Sequence, residues 1–290
     1  MVALTQTIES SLIRDERLVG HIDGYPSTIA PEIASAYDSI ASAYAESQLT
    51  DNIQKTDRYL RPLVQRTGAR TVLDAGCGVG ATAERLREQG IDAYGFDLVE
   101  NVKFWREQQR SASRFVVAAP VDPVLPFADG AFDLVYSIGV IEHVGTTNGH
   151  SDRRRDYHAV RRRWTLELLR VVRKGGYLFL AGPNRCFPVD TAHGPDSMAM
   201  NWEKTFAART GVTIHRPWGE NFLWGYSDVR QYLAGREVAV EPASIEGLMN
   251  FSRVGRPLRA LARAYVRWLP KSLLGTGFNP WVAALIKKAY

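Results

Sequence analysis

The stretch Val72-Leu73-Asp74-Ala75-Gly76-Cys77-Gly78-Val79-Gly80 constrains this chain more than any other. A short apolar, β-prone run enters three glycines at alternate positions, and a helical pattern follows over 81–89. Glycine lets the backbone turn tightly and lets a ligand come close. The start of the following helix favours a negative group at the same spot. The same alternation continues downstream. Residues 92–96, 115–117, 132–137 and 177–180 read as strands, and helical patterns cover 99–110 and 151–173. In the long helix Tyr157, Val160, Trp164, Leu168 and Val171 share one face, and Gly175-Gly176 marks its stop. Strands alternating with helices predict a parallel, doubly wound α/β sheet whose strand ends line one rim.

Three segments depart from that rhythm. Residues 1–66 look helical, with Ala34, Tyr37, Ile40, Ala41 and Tyr44 at helical spacing, and form an expected N-terminal cap. Residues 184–226 are rich in Pro, Asn, Trp, His and Gly and show no clear period, which predicts a lid or a substrate wall. After a helix at 229–233 and a strand at 237–240, residues 256–290 read as basic amphipathic helices. There Leu258, Leu261, Tyr265 and Leu269 face one way and Arg259, Arg263 and Arg267 another. The catalytic domain is therefore expected over 67–255.

Length, at 290 residues, is ample for a full core. No apolar run can span a bilayer, and no apolar signal core follows the N-terminus. Two cysteines, Cys77 and Cys186, point to a reducing, cytoplasmic setting. The net charge of +5 hides a split. Residues 151–174 hold nine bases against three acids and residues 251–290 eight bases and no acid, so the remainder carries −9. Such asymmetry fits an anionic partner, a membrane surface included, or a pair of solvated helix faces. No RNA- or DNA-binding module is visible, which argues against nucleic acid.

Asp97 ends the second strand, where a carboxylate can accept from both hydroxyls of a ribose. Gly76, Gly78 and Ala81 also fit a dinucleotide fingerprint. Asp74 argues otherwise, because a carboxylate facing the loop repels a pyrophosphate and suits a cationic amine. Taken with Gly95-Phe96-Asp97, Leu125-Pro126-Phe127, Phe132-Asp133-Leu134-Val135, Val140-Ile141-Glu142-His143-Val144, the run Leu169 to Gly176, and Pro183-Asn184, the glycine loop resembles the class I S-adenosylmethionine-dependent methyltransferases, in their small-molecule branch. The resemblance covers roughly 70–184.

It implies a Rossmann-like, mostly parallel seven-stranded sheet that binds S-adenosylmethionine and releases S-adenosylhomocysteine. The implied cofactor contacts are Asp74, Gly76, Cys77, Gly78, Asp97, Leu98, Asp122 and Ser137. The family's adenine-binding acid falls on Val121 here, with Asp122 one residue later. Either the loop shifts by one or backbone groups hold the adenine. A hydroxyl acceptor needs a base. The candidates are His143 after strand four, its neighbour Glu142, and His193 in the lid near Asp190 and Asp196. His143 could equally shape the floor of the site. Tyr37, Tyr44, His193 and Trp224 are expected to meet the acceptor. His150, His158 and His215 show no metal spacing, so no metal is expected. The expected reaction is O-methylation of a small or lipid-like acceptor. The alternatives are C-methylation of an isoprenoid or phosphorylated acceptor, and RNA modification. The C-terminal arginines are expected to meet an anionic acceptor or the membrane that holds it.

Overall fold

The structure, a computed structural model, describes residues 12, 49–97, 102–108, 114–117, 124–146, 153–191, 193–195, 199–214, 223–252 and 254–289. Most of the expected cap, with Tyr37 and Tyr44, lies outside these residues, as do Leu98, Asp122, His150, Asp196 and His215.

Seven strands form one sheet in the order β3-β2-β1-β4-β5-β9-β8. These are β1 (Thr71–Ala75), β2 (Asp92–Asp97), β3 (Phe115–Val117), β4 (Phe132–Ile138), β5 (Val172–Pro183), β8 (Val238–Pro242) and β9 (Trp281–Lys288). β1 runs parallel to β2 and β4, and β2 to β3, while β8 and β9 are antiparallel. This is the doubly wound α/β sheet that the alternation predicts. The chain divides into two compact units, Met1–Tyr136 with Glu167–Tyr177, and Ser137–Leu166 with Leu178–Tyr290. β4 and β5 each pass from the first unit into the second.

In the first unit, residues 49–67 are helical throughout, with a π-turn at Thr56–Leu60 and a last stretch α1 (Arg61–Thr67). Gly68, at φ 64°, ends it in the left-handed conformation that suits glycine. α2 (Ala81–Glu88) and α3 (Val102–Glu107) follow their strands. Val72 and Leu73 are wholly buried, which is why β1 opens on a short apolar run. Tyr94, Phe127 and Phe132 pack edge to face at 5.0–5.7 Å, and Trp105 tilts over Phe115 at 5.2 Å.

α4 (Tyr157–Val171) buries Val160, Trp164, Leu168 and Val171, four of the five residues on its predicted face. The expected glycine stop is instead inside β5, which begins at Val172 directly after the helix. Gly176 is still required. A Cβ there would sit 2.7 Å from the Asp133 carbonyl oxygen. The basic run of this helix also has a structural job. Arg170 donates to the Leu125 and Phe127 carbonyls and to Asp129 and Glu167. Arg173 donates to Asp133.

In the second unit, 184–226 is more ordered than its composition suggests. It contains a two-stranded antiparallel ribbon, β6 (Val189–Asp190) with β7 (Thr213–Ile214), and the helix α5 (Asn201–Thr210). α6 (Tyr226–Tyr232) matches the helix expected at 229–233, begun three residues earlier. The C-terminal segment holds α7 (Arg256–Trp268) and a 3-10 turn at Lys271–Leu273, and then differs from the helical expectation. Trp281–Lys288 is β9, a sheet strand, so 256–290 is not a separate helical tail. Val282, Ala283, Ala284 and Ile286 are wholly buried there. A fully buried Ile or Val contributes ~1.5–3 kcal/mol, and an unbroken apolar run suits a strand covered on both faces. Tyr226 locks the strand: its hydroxyl donates to the Ala283 carbonyl and accepts from the Ala283 N–H.

Candidate active site

In the first unit, β1 delivers the chain into Gly76, Gly78 and Gly80, whose φ values of 90°, 53° and 77° lie in the left-handed region. Side chains are disfavoured there. At Gly80 space forbids one too, since a Cβ would stand 2.5 Å from the Phe115 ring. The Gly76 and Cys77 N–H groups donate to the Phe96 carbonyl, and the Gly78 N–H donates to Asp97 Oδ2 at 2.5 Å. Trp105 Nε1–H closes the outside of the loop on the Gly78 carbonyl at 2.8 Å. Asp97 is thus held at the end of β2 by the loop it serves.

Asp74 is buried and accepts from the Thr82 hydroxyl in the first turn of α2. Burial pushes its carboxyl up to about 7, against the opposing pull of Thr82, Lys55 and Tyr136. Burial likewise lowers Lys55, which donates to Asn52. Burial pushes the Cys77 thiol well up, with Asp97 and Asp74 adding to it, so this cysteine serves by being small. Thr82, Lys55 and Trp105 escape sequence reasoning, because each carries an ordinary helical side chain.

In the second unit, a different cluster follows β4. Residues 141–145 form a turn that carries Glu142 and His143. β6 and the turn after it carry Asp190 and His193. His193 Nδ1–H donates to Asp190 Oδ2 at 2.9 Å, which leaves Nε2 as the lone-pair nitrogen of the neutral ring. That Nε2 lies 3.4 Å from His143 Nε2 and 3.8 Å from Glu142 Oε1. Thr213 fixes the backbone by donating to the His193 carbonyl at 2.7 Å.

Glu142 is fully buried, and neither of its carboxylate oxygens accepts a hydrogen bond. Burial raises its carboxyl to about 7, opposed by His193 and Arg161. Arg161, also fully buried, donates to the carbonyls of Glu142 and Val144 at 2.7 and 3.0 Å. Trp224 is wholly buried, and its Nε1–H finds no acceptor. Gly182 makes room for both. A Cβ there would come within 2.7 Å of Trp224 Nε1 and 2.8 Å of Glu142 Oε2. Ser137 is buried at the end of β4 with its hydroxyl unpaired.

The structure therefore brings the three expected catalytic candidates together and adds Asp190 and Arg161. The Asp190–His193 spacing of three residues was the visible sign of the first, and Arg161 was lost in a basic run. Glu142, His143 and His193 place one ligand atom each within 4.8 Å of one another, a grouping the sequence spacing did not predict.

A glycine loop between a buried strand and a helix, with a carboxylate fixed at the end of the next strand, defines a nucleoside-cofactor domain of doubly wound type. Residues 73–180 match the family described as a methyltransferase domain, and the chain carries a class I S-adenosylmethionine-dependent methyltransferase domain. The malonyl-acyl-carrier-protein O-methyltransferase of Pseudescherichia vulneris is 35% identical over 106 residues, 36% of this chain and 40% of that one. The ubiquinone biosynthesis O-methyltransferase of Bordetella avium is 29% identical over 130 residues, 44% and 48% of the two chains. The chain thus spans less than half the length of these curated relatives. Phosphoethanolamine N-methyltransferase 2 of Haemonchus contortus, solved with S-adenosylmethionine, is similar only loosely, at 15% identity and a TM-score of 0.41 over 76% of this chain and 49% of that one.

The first unit's residues fit this cofactor. Asp97 suits ribose hydroxyls, the glycine loop admits close approach, and the buried Asp74 carboxyl complements an ammonium.

Proposed function

We propose that this protein transfers a methyl group from S-adenosylmethionine to an oxygen of a small or lipid-like acceptor. The observation that carries the reading is the Glu142–His143–His193–Asp190 cluster, in which both carboxylates are buried and both imidazoles half-buried. Bound in the first unit, the cofactor supplies an electrophilic methyl. The chain's own residues then have two tasks, holding the donor and relieving the acceptor of a proton.

For the first task, Asp97 takes the ribose, Asp74 the amine, and the Gly76–Gly80 loop the methionine end. For the second, His143 and His193 stand ready with Asp190 behind them. The Asp190 carboxylate holds His193 in one tautomer and favours its charged form once a proton arrives. The burial of Glu142 keeps water from competing at the cluster. Oxygen is favoured over carbon because such acid–base groups are needed where the nucleophile carries a proton. The curated relatives named above are O-methyltransferases, which agrees with this reading.

An amphiphilic acceptor is suggested by α7. Leu258, Leu261, Tyr265 and Trp268 leave an apolar stripe exposed, with Trp268 at 77% and Leu261 at 66%. The arginines of the same helix do not carry this idea, as their sequence position suggested. Arg259 donates to the Ser252 and Val254 carbonyls, Arg263 to that of Asn250, and Arg267 approaches Glu246 at 3.9 Å.

The reading is tested by incubating the protein with S-adenosylmethionine and a panel of phenols, carboxylic acids and isoprenoid quinol analogues. Mass spectrometry should find one added methylene, on an ether or ester oxygen. Methylation on carbon, or on RNA alone, would replace this reading.

A further inference from the structure

We propose that Glu142, His143 and His193 form a binding site for one divalent transition-metal cation of borderline softness, zinc(II) being the nearest fit. The inference rests on the cluster used above and assigns it a ligand.

Consider first the distance between the two imidazoles. Their Nε2 atoms face each other at 3.4 Å. Protein N–H···O hydrogen bonds are shorter, at about 2.7–3.2 Å, so this contact is long for a hydrogen bond. Two nitrogens bound to one tetrahedral zinc at about 2.0–2.1 Å stand about 3.4 Å apart. The pair is therefore spaced as ligands of a shared ion rather than as a hydrogen-bonded couple. Glu142 Oε1 stands 3.8 Å from His193 Nε2, a few tenths of an ångström wide of the same tetrahedral edge.

The second observation is the carboxylate itself. Glu142 is fully exposed to none of the solvent, and neither oxygen accepts a hydrogen bond. A buried carboxylate in that state is costly unless something cationic answers it. Arg161 is the nearby guanidinium, and it donates to the backbone carbonyls of Glu142, Val144 and Leu223. Gly182 preserves the space, since any side chain there would strike both carboxylate oxygens.

The third is the support behind one ligand. Asp190 is buried and accepts from His193 Nδ1–H, which turns the other nitrogen, Nε2, toward the cluster. Carboxylate–histidine–metal triads use this arrangement to orient the ring and raise its basicity. Two imidazoles and one carboxylate are a borderline-soft donor set, suited to zinc, iron, cobalt or nickel rather than to calcium or magnesium. Three protein ligands leave a coordination position open. An acceptor hydroxyl placed there would lose its proton to solvent more readily, as zinc-bound water does, and the two imidazoles would then serve as ligands rather than as bases.

The test uses tag-free, chelator-stripped protein without cofactor or acceptor. Titration with zinc(II) by calorimetry should show one site per chain, and cobalt(II) should give the intense visible bands of a tetrahedral site. His193→Ala and Glu142→Gln should abolish both signals. Asp190→Asn should weaken zinc binding by about 10–100-fold while the cobalt bands persist. His158→Ala, whose ring instead meets the Tyr232 hydroxyl, should leave binding unchanged. Circular dichroism melts establish that each variant is folded. If the folded parent binds neither ion, or if the ligand variants bind like the parent, the proposal fails and the histidines merely share a proton. Zinc binding without any methylated product would leave the site standing and overturn the reading of function. O-methylation by a parent protein that binds neither ion would do the reverse.

Discussion

The cradle of the first unit and the cluster of the second each contain a buried carboxylate, Asp74 in one and Glu142 in the other, yet they are finished differently. Asp74 and Asp97 each accept a hydrogen bond from the element that follows them or the loop beside them. Glu142 accepts none, and Ser137 and Trp224 of the same unit also keep unanswered polar atoms. The cradle is a local construction, assembled mainly from residues 74–97 with Trp105 closing the loop. The cluster joins residues 142–143 to 190–193 across fifty positions and leaves its polar demand open. A site of the first kind holds its shape for a ligand, and a site of the second kind is stabilised by one.

The sharpest way to break this comparison is at the chemistry. His143→Ala should lower turnover by about 10²–10⁴-fold, the usual worth of a positioned acid–base group, with cofactor affinity unchanged. A variant with both values intact would make His143 a wall and would leave the cluster without a catalytic role. Stopped assays with saturating acceptor, run beside calorimetry with S-adenosylhomocysteine, separate the two.

The cradle should answer in the opposite sense. Asp97→Ala removes charge-assisted hydrogen bonds to the ribose and should weaken S-adenosylhomocysteine by ~1–3 kcal/mol in calorimetry, with zinc binding unaffected.

Asp74 offers a pH test. Its carboxyl is raised by burial to about 7, well above the roughly 3.9 of an unfolded aspartate. In that window the folded chain holds a proton that the unfolded chain has released. Its contribution to stability therefore falls as pH rises from about 4 to about 7, by at most ~1.4 kcal/mol per pH unit. Urea midpoints of Asp74→Asn should lack that component. Affinity for S-adenosylmethionine should move the other way, rising through pH 7 as the carboxylate forms to meet the ammonium. In Asp74→Asn it should be weaker and flatter.

The smallest effects concern α7. Arg259→Gln loses bonds to two carbonyls and should cost about 1 kcal/mol by chemical denaturation. Trp268→Ser, at an exposed position, should change stability by no more than about 0.5 kcal/mol. It should nevertheless reduce sedimentation with anionic vesicles. If the arginine variant loses vesicle binding and the tryptophan variant keeps it, charge rather than the apolar stripe carries the contact.

The strand–glycine–helix unit was legible because its determinants are adjacent. An apolar run, three glycines and a helical period fix one local path. The positions of the first five strands followed from alternation for the same reason, and so did the buried face of α4. β9 was not legible, since Trp281–Ile286 is an apolar run that a helix or a strand could bury equally well. Its place between β5 and β8 and the Tyr226 hydroxyl make it a strand. The partners of the arginines in α4, β5 and α7 were not legible because sequence shows charge, whereas their bonds to carbonyls and to Asp129, Asp133 and Glu167 belong to folded neighbours.

What the sequence determined by itself, then, is the class of fold and the donor's binding loop. Both rest on local conformational preference and periodicity, which short stretches of chain carry alone. Tertiary structure decided how Glu142, His143, Asp190 and His193 meet, and which arginines are engaged. Distances between side chains fifty residues apart are set by the packing of β4, β5 and β6, and no spacing in the linear chain encodes them.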